Sequence, residues 1–395
     1  MERKIGLILT GGGARAAYQV GVLKAIAEIL PRHAHNPFSI ICGTSAGALN
    51  AVTLAVNALH FRKGVQYLLS IWNNSRVEDI YRSDPVGVFN NSGRWLAGLL
   101  LSSMGINKLN RVSLLDNSPL VTFLEETLPC EKIQESINAG VLYALSITAS
   151  GYGSGHSVTF YQGAKGIRPW KRARRLGIPA RIEVKHLLAS AALPFIFPAV
   201  RINREYFGDG SMRQIAPISS ALHLGANRVL VIGVGQGTAE PPKRSRIGDY
   251  PSLAQIAGHA LNSIFLDSLE VDLERLQRIN RTMSMMPEEA RQKTNLRHVD
   301  VLVIAPSQSI EKIAERYAAN LPWTIRFLLR WVGAMRRSGA NLVSYLLFEK
   351  AFCRALIDVG YQDAMRRKEE ILAFFEQPEA SENLPRGRTF GRAPE

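Results

Sequence analysis

Short apolar runs alternate with amphipathic segments along the first 235 residues of the chain. The apolar run Ile5–Leu9 predicts a buried strand, and the segment after it carries apolar residues at helical spacing up to residue 30. Further apolar runs predict buried strands at residues 40–42, 141–148, 157–161, 228–234 and 299–304. Strands that alternate with helices predict an α/β fold, here a doubly wound, mostly parallel sheet between helices.

From about residue 253 onward the pattern is mainly helical, which adds a helical C-terminal region to this fold. We expect an α/β domain over residues 1–310, with its motifs within 5–235. A C-terminal helical region over 311–376 would pack on that core. The last residues, 377–395, have too little apolar surface to fold, and we expect a disordered tail there.

Ser45 follows the second predicted strand in the sequence Gly43-Thr44-Ser45-Ala46-Gly47. A strand, a sharp turn and a helix with serine at the apex form the nucleophile elbow of serine hydrolases, whose pattern is Gly-x-Ser-x-Gly. Small residues are needed two positions on either side because strand and helix approach closely at a strained turn. Roughly 0.2 such matches arise by chance in a chain of this length. The other reading is a solvent-facing serine in a tight turn, so further motifs must decide.

The first predicted strand runs into a glycine-rich loop, residues 10–15, just before a helix begins. Several backbone N–H groups and the positive end of the helix dipole favour an anion there. The spacing of Gly11, Gly13 and Ala16 fits a dinucleotide site, but that site needs an acidic residue closing the second strand, where none is present. The alternative is an oxyanion hole beside Ser45, because the first two strands of a doubly wound sheet lie side by side.

Three motifs together resemble those of the patatin-like phospholipases. The matching residues are Gly11, Gly12, Gly13 and Arg15 in a basic oxyanion loop, Gly43, Ser45 and Gly47 in the elbow, and Asp209 and Gly210 in an Asp-Gly pair. The stretch 189–198 ahead of the aspartate is also similar. The resemblance covers about residues 5–235 and, more faintly, 346–364. The sequence departs from the family's pattern at Ala16 and Ser211, where glycine is usual.

This resemblance implies a Ser45–Asp209 dyad that cleaves fatty-acyl esters of (lyso)phospholipids through an acyl-enzyme. Asp209 is then the general base and Gly210 supports its turn. Backbone N–H groups of residues 11–13, helped by Arg15, hold the oxyanion. The resemblance implies no metal or other cofactor. Taken alone, the Gly-Asp-Gly sequence around Asp209 is typical of an Asx turn.

The sequence is compatible with two other hypotheses. One is a Ser-His-Asp enzyme of the α/β-hydrolase kind, since His223, His259 and His298 follow Asp209 in the required chain order. The other is a non-catalytic, basic protein with the same fold that binds a membrane or a nucleic acid.

The formal net charge of +15 fits a polyanionic partner, either a nucleic acid or the anionic face of a membrane, but it also fits a charge that only keeps the protein soluble. Residues 163–186 hold eight Lys/Arg against one acid, Glu183, with Trp170 among them. This segment suits a phospholipid headgroup surface or nucleic acid phosphates, and a simply solvated charged surface is the third interpretation. Residues 95–106 and 321–337 are apolar segments that either pack in the core or contact a membrane; the second has a basic amphipathic pattern. Because no nucleic-acid-binding motif is present, we expect a lipid ester substrate and an anionic membrane as partners, and no nucleic acid. The oligomeric state is not indicated.

The three cysteines lie far apart with no CxxC spacing, which indicates a reducing compartment. The apolar run near the start is too short for a signal peptide. No uncharged apolar stretch reaches the roughly 18–20 residues of a membrane-spanning helix. We therefore expect a cytoplasmic protein with peripheral contact to the inner face of a membrane.

Overall fold

The computed structural model describes residues 4–31, 35–88, 90–93, 113–235, 253–264, 268–294, 296–331, 333–335 and 340–376. Two segments named above, 95–106 and the predicted tail 377–395, lie outside these ranges. Segment 321–337 is described up to residue 331 and over 333–335.

The strands of the described residues join in one mixed sheet. Their bounds are β1 Ile5–Leu9, β2 Ile40–Thr44, β3 Ala144–Gly151, β4 Ser157–Gly163, β5 Trp170–Arg172, β6 Arg175–Pro179, β7 Val200–Ile202, β8 Glu205–Asp209, β9 Arg228–Ile232 and β10 Asp300–Ile304. Their spatial order is β10-β9-β1-β2-β3-β4-β6-β5, while β8 pairs with β3 and with β7.

The α-helices with complete bounds lie between and after these strands. They are α1 Ala17–Ile29, α2 Ala46–Val56, α3 Phe61–Asn74, α4 Val77–Ile80, α5 Ser118–Thr127, α6 Lys132–Asn138, α7 Val184–Ser190, α8 Ser219–His223, α9 Leu253–Asn262, α10 Ser268–Met285, α11 Glu288–Gln292, α12 Ile310–Tyr317, α13 Trp323–Trp331, α14 Ala340–Leu346, α15 Lys350–Arg366 and α16 Lys368–Glu376. Among the described residues, no helix is both long and apolar enough to cross a bilayer.

The centre of the sheet is parallel, since β10, β9, β1, β2 and β3 each run parallel to the next. Alternate residues of β1 reach opposite faces: Leu7 and Leu9 belong to one apolar cluster and Ile8 to another. Both faces are therefore covered, as a parallel sheet requires. The predicted α/β fold with a mostly parallel sheet between helices is confirmed.

The predicted strands are all present, with ends that differ by up to three residues in the chain. The sequence pattern does not predict β5, β6, β7 and β8. Two of them, β5 and β6, form an antiparallel pair within the basic segment 163–186 at the sheet edge. Their exposed charges hide the apolar alternation on which strand prediction depends, and such charges are a usual protection for an edge strand.

The C-terminal helix α15 crosses α1 at very short distance. A Cβ atom on Gly21 would lie 1.9 Å from the carbonyl oxygen of Ile357, and one on Gly360 would lie 2.2 Å from the carbonyl oxygen of Tyr18. The Tyr18 hydroxyl also donates a hydrogen bond to Asp363 at 3.1 Å. The C-terminal helices therefore pack directly on the α/β core, while the domain boundary after residue 310 stays a prediction.

Candidate active site

Ser45 occupies the turn between β2 and α2 with a backbone φ of 54° and ψ of −131°. A positive φ is rare for a residue with a side chain and marks local strain. The two glycines of the motif are required because neighbouring backbone atoms leave no room for a side chain at either position. A Cβ atom on Gly43 would lie 2.6 Å from the Cα of Ala48, and one on Gly47 would lie 2.3 Å from the carbonyl oxygen of Leu9. The sequence motif thus forms a nucleophile elbow in geometry as well as in pattern.

The structure brings Ser45 and Asp209 together. The Ser45 hydroxyl donates a hydrogen bond to Oδ2 of Asp209 at 2.6 Å. Asp209 is the last residue of β8, paired with Ala149 of β3, and is completely buried. Its other oxygen, Oδ1, accepts the backbone N–H of Ser211 at 2.9 Å. The aspartate therefore forms an Asx-type turn with one carboxylate oxygen and contacts Ser45 with the other. The turn thereby orients the carboxylate towards the serine.

Gly210 lets the end of β8 approach β3. A Cβ atom at this position would lie 2.0 Å from the carbonyl oxygen of Thr148. The Ser150 hydroxyl also donates to the carbonyl oxygen of Gly210 at 3.3 Å. The predicted support of the aspartate turn thus has a physical basis, because any larger residue would push Asp209 away from Ser45.

Burial raises the pKa of the Asp209 carboxyl to about 6, although hydrogen bonds from Ser45 and Ser211 act in the opposite direction. Removing a carboxylate from water disfavours its charged form. A carboxyl group with a pKa near the working pH is a better base than one with an ordinary value and is still mostly ionised at neutral pH.

Ser190, at the end of α7, was not singled out from the sequence. Its hydroxyl accepts the backbone N–H of Ser45 at 2.8 Å and donates to the carbonyl oxygen of Thr148 at 2.6 Å. It thereby ties the strained elbow to β3. Ser190 lies within the family-like stretch 189–198, but nothing in the spacing of that stretch indicates a contact with residue 45.

The glycine loop lies beside the elbow because β1 pairs in parallel with β2, with Leu9 opposite Gly43. Gly13, at a φ of +55°, and Ser45 line the same cavity. Among the described residues, none accepts a hydrogen bond from the backbone N–H of residues 11–13. An oxyanion hole would use backbone donors of this kind, and that role for residues 11–13 stays a prediction.

The side chain of Arg15, which we predicted to help hold the oxyanion, makes its contacts with the C-terminal helices. Its buried guanidinium contacts Glu311 at 2.9 Å and Ser344 at 2.8 Å, donates to Asn341, and lies 4.2 Å from the ring centroid of Tyr345. A buried cation needs a carboxylate and further acceptors, and these come from α12 and α14. Arg15 therefore fastens the loop to the C-terminal helices, and no sequence motif marks those partners.

Gly13 shows the same attachment through its backbone. A Cβ atom on Gly13 would lie 2.2 Å from the carbonyl oxygen of Tyr345. Burial alone would raise the pKa of Glu311, but the charge of Arg15 and hydrogen bonds from the backbone and Ser309 outweigh it and lower that pKa. Glu311 is therefore ionised at neutral pH.

A cavity of about 330 Å³ opens at Ser45. It lies between the elbow and α3, α5 and α7, with Ser45 and Gly13 at one end. Its apolar lining consists of Ala46, Leu49, Ile71, Trp72, Ile80, Leu120, Phe123, Leu124, Leu187, Ala191, Phe197 and Phe348. Such a lining fits an apolar ligand group with few polar atoms.

The three histidines proposed for a triad lie elsewhere. His223 stacks on Trp170, with ring centroids 5.0 Å apart, and contacts the carbonyl oxygen of Ser219. His298 lies 3.5 Å from Asp300, and His259 is exposed on α9. Within the ranges that the structure describes, no histidine is hydrogen-bonded to the serine or the aspartate of the dyad.

Fold and site together define an α/β protein with a nucleophile elbow, an aspartate on the serine hydroxyl and a glycine loop beside both. The model of the family described as patatin-like phospholipase matches residues 7–222, more than half of the chain. The chain belongs to the patatin-like phospholipase family.

Two single proteins are similar over different extents. Lysophospholipase nte1 of Aspergillus terreus (strain NIH 2624 / FGSC A1156) is 50% identical over 56 residues, which is 14% of this chain and 3% of the fungal protein. This chain therefore matches only a small part of that relative. The crystal structure of VipD from Legionella pneumophila aligns with 94% of this chain and 67% of its own, at a TM-score of 0.32 and 13% identity.

Proposed function

We propose that this chain is a serine hydrolase that cleaves fatty-acyl ester bonds of phospholipids or lysophospholipids. The observation that carries the proposal is the 2.6 Å hydrogen bond from the Ser45 hydroxyl to Asp209 at the end of an apolar cavity. Family membership supports the same class of reaction, and the matched relative is by name a lysophospholipase.

In the first half-reaction Asp209 accepts the hydroxyl proton as Ser45 Oγ bonds to the ester carbonyl carbon. The carbonyl oxygen becomes an oxyanion, for which the N–H groups of residues 11–13 are the proposed donors. When the tetrahedral intermediate collapses, the bond to the alcohol oxygen breaks and Asp209 returns its proton to that leaving oxygen. The acyl group stays on Ser45.

In the second half-reaction water takes the place of the alcohol. Asp209 accepts a proton from the water as the water oxygen bonds to the acyl carbon. A second tetrahedral intermediate then forms in the same oxyanion hole. Collapse breaks the bond to Ser45 Oγ, which regains its proton from Asp209. A free fatty acid leaves and the dyad is restored.

The cavity supports an acyl chain as the group next to the scissile bond. Its volume of about 330 Å³ lies at the small end of ordinary ligand pockets, and its walls are mostly apolar. One acyl chain would occupy it, with the polar headgroup outside. Peripheral contact with an anionic membrane, suggested by the net charge of +15, belongs to the same proposal.

The dyad has more structural support than the triad hypothesis. One carboxylate oxygen of Asp209 accepts the hydrogen bond from Ser45 and the other accepts the backbone N–H of Ser211, so the carboxylate contacts the serine directly and not through a histidine. The non-catalytic hypothesis does not account for a strained serine held against a buried carboxylate, which costs stability.

The decisive experiment compares wild type with Ser45→Ala on lysophospholipid and diacyl phospholipid, with released fatty acid measured by mass spectrometry. We expect activity to fall to the uncatalysed background. A fluorophosphonate probe should label the wild type at Ser45 and leave Ser45→Ala unmodified. Ser220→Ala, which removes another buried hydroxyl, is the matched control and should hydrolyse and label like wild type.

Equal hydrolysis by wild type and Ser45→Ala would contradict the proposal. Collapse of turnover on substitution of His223, His259 or His298, with the fold intact, would favour the triad instead.

A further inference from the structure

Two basic segments of the chain contain tryptophan, and the structure separates them. In the segment 163–186, Trp170 is stacked between Tyr161 and His223, with ring centroids 5.1 Å and 5.0 Å away. The predicted headgroup surface there thus has exposed charges, but its aromatic side chain is used for packing within the protein.

Helix α13 has the opposite arrangement. Trp323 is 57% exposed and Trp331 is 80% exposed, whereas Ile325 and Leu329 are buried. Residues four and eight positions apart lie on one face of a helix, so the two tryptophans share a face with Phe327, which is 44% exposed. This aromatic face is defined here by Trp323, Phe327 and Trp331.

Positive charge borders the aromatic face. Arg330 is exposed and Arg326 is half-buried, with its Nε atom buried. The two lie one turn apart, and the helix from residue 323 to 331 contains no acidic residue. Arginine has a flexible apolar stem and a charged end that reaches phosphate oxygens. The pattern of tryptophan beside arginine is typical of a helix that lies in the membrane interface.

The position of α13 relates this face to the active site. The Thr324 hydroxyl donates to the carbonyl oxygen of Ser83 at 2.5 Å. Ser83 lies shortly after α4, whose Asp79 and Ile80 line the cavity. The inner side of α13 thus rests on the chain segment that continues the cavity wall.

We propose that the aromatic face of α13 docks this chain on the surface of an anionic phospholipid bilayer, with Trp323 and Trp331 at headgroup depth and Arg326 and Arg330 on lipid phosphates. The proposal rests on the proposed function, since the bilayer is where the substrate lies. Indole rings favour the interfacial layer because one part is apolar and the N–H is polar. Two arginines without a neighbouring acid on the helix complement the negative charge of the lipids.

Binding is measured by vesicle flotation in the Ser45→Ala background, so that no lipid is consumed. Vesicles of phosphatidylcholine alone are compared with vesicles that also contain phosphatidylglycerol. We expect preferential binding to the anionic vesicles, and a fall of at least about tenfold in the partition coefficient for Trp323→Ala/Trp331→Ala. In the double variant Arg326→Gln/Arg330→Gln, the partition coefficient should fall about fivefold for each arginine removed, and only on the anionic vesicles.

The matched control removes exposed apolar area elsewhere, with Val271→Ala/Met285→Ala on α10. This control should bind like the parent protein. With Ser45 restored, the tryptophan variant should hydrolyse a water-soluble short-chain ester at the wild-type rate, because α13 lines no part of the cavity.

Three results would overturn the docking proposal: no vesicle binding by the parent protein, equal binding by the tryptophan variant, or equal losses in the α10 control. A change of sedimentation from dimer to monomer in the tryptophan variant, with vesicle binding unchanged, would assign the face to self-association instead. If the restored enzyme hydrolyses no ester but the binding differences hold, the proposed function fails and the docking surface stands.

Discussion

The two proposed catalytic elements at the end of the cavity, the elbow with Ser45 (the serine side) and the glycine loop 11–13 (the loop side), are stabilised by different parts of the chain. On the serine side, Ser45, Asp209 and Ser190 are joined to one another or to β3 by hydrogen bonds of 2.6 to 2.8 Å. On the loop side, Arg15 is held by Asn341 and Ser344, which lie 326 and 329 positions further along the chain.

The contacts of the serine side lie within the residues that the family model matches, whereas the contacts of Arg15 lie outside them. The matched residues, 7–222, include the whole serine side. The partners of Arg15 lie beyond them, in α12 and α14. The elbow and its aspartate are thus held within the shared core, whereas the glycine loop also depends on this chain's C-terminal helices.

The largest expected effect lies on the serine side. Asp209→Asn removes the proton acceptor and should lower kcat/KM by about 10²–10⁴-fold on a soluble ester. Its thermal midpoint at pH 7 should equal or exceed that of wild type, because a neutral amide avoids the cost of a buried charge. Asp272→Asn, at another buried aspartate with a raised pKa, is the control and should keep full activity. A large loss in both variants would point to unfolding instead of catalysis.

The loop side is tested through the ion pair behind it. Glu311→Ala leaves the buried guanidinium of Arg15 without its carboxylate, and we expect the Gly11–Gly13 donors to shift. Misplacement of catalytic groups by about 1 Å costs about 10²-fold, so kcat should fall by that order with KM nearly unchanged. Glu311→Gln should recover part of the rate.

Asp300→Asn is the matched control for this loss, because it removes the carboxylate beside another buried arginine, Arg228. Normal kcat in Glu311→Ala, or an equal fall in Asp300→Asn, would show that the loop is positioned without the C-terminal helices.

The pH dependence should follow the serine side alone. Since the pKa of Asp209 is raised to about 6, kcat/KM should rise through one ionisation near that pH and fall about tenfold for each pH unit below it. Glu311, behind the loop, does not titrate near pH 6, because its pKa is lowered. The apparent pKa should change little with temperature, as expected for a carboxyl group and not for an imidazole.

Stability should move in the opposite direction over the same range. The folded protein holds the Asp209 proton up to about pH 6, whereas an unfolded chain releases it near 3.8. The contribution of Asp209 to the free energy of unfolding is therefore full below pH 3.8 and is lost as the pH rises through about 6. Comparing wild type with Asp209→Asn across this window isolates that contribution.

The smallest expected effect concerns the link between the elbow and β3. Ser190→Ala removes the acceptor of the Ser45 backbone N–H, and a single hydrogen bond of this kind corresponds to about a fivefold loss in kcat. Ser136→Ala, which removes a buried hydroxyl on α6, is the control. If Ser190→Ala has no effect on kcat, the elbow is held by its glycine contacts alone.

Much of the central architecture could be predicted from sequence, for a local reason. Long apolar runs predicted β1, β2, β3, β4, β9 and β10, since buried strands leave a strong pattern. The strands β5 and β7 have only three residues each, and exposed residues interrupt the apolar pattern of β6 and β8, so the sequence pattern of all four is weak. The packing of Gly21 against α15 could not be foreseen, because it joins residues more than 300 positions apart in the chain.

By itself, the sequence determined the elbow around Ser45 and the family, because the Gly-x-Ser-x-Gly pattern lies within one strand, turn and helix. Gly43 packs against Ala48 of the same unit, and Gly47 packs against Leu9 of the neighbouring strand β1. Only the tertiary structure decided that Arg15 faces the C-terminal helices, and which tryptophans are exposed. The partners of a buried cation and the exposure of a ring depend on distant residues that meet after folding. The motif at Ser45 depends mainly on the backbone of one strand–turn–helix unit and of the adjacent β1, whereas the glycine loop also depends on packing against helices more than 290 positions further along the chain.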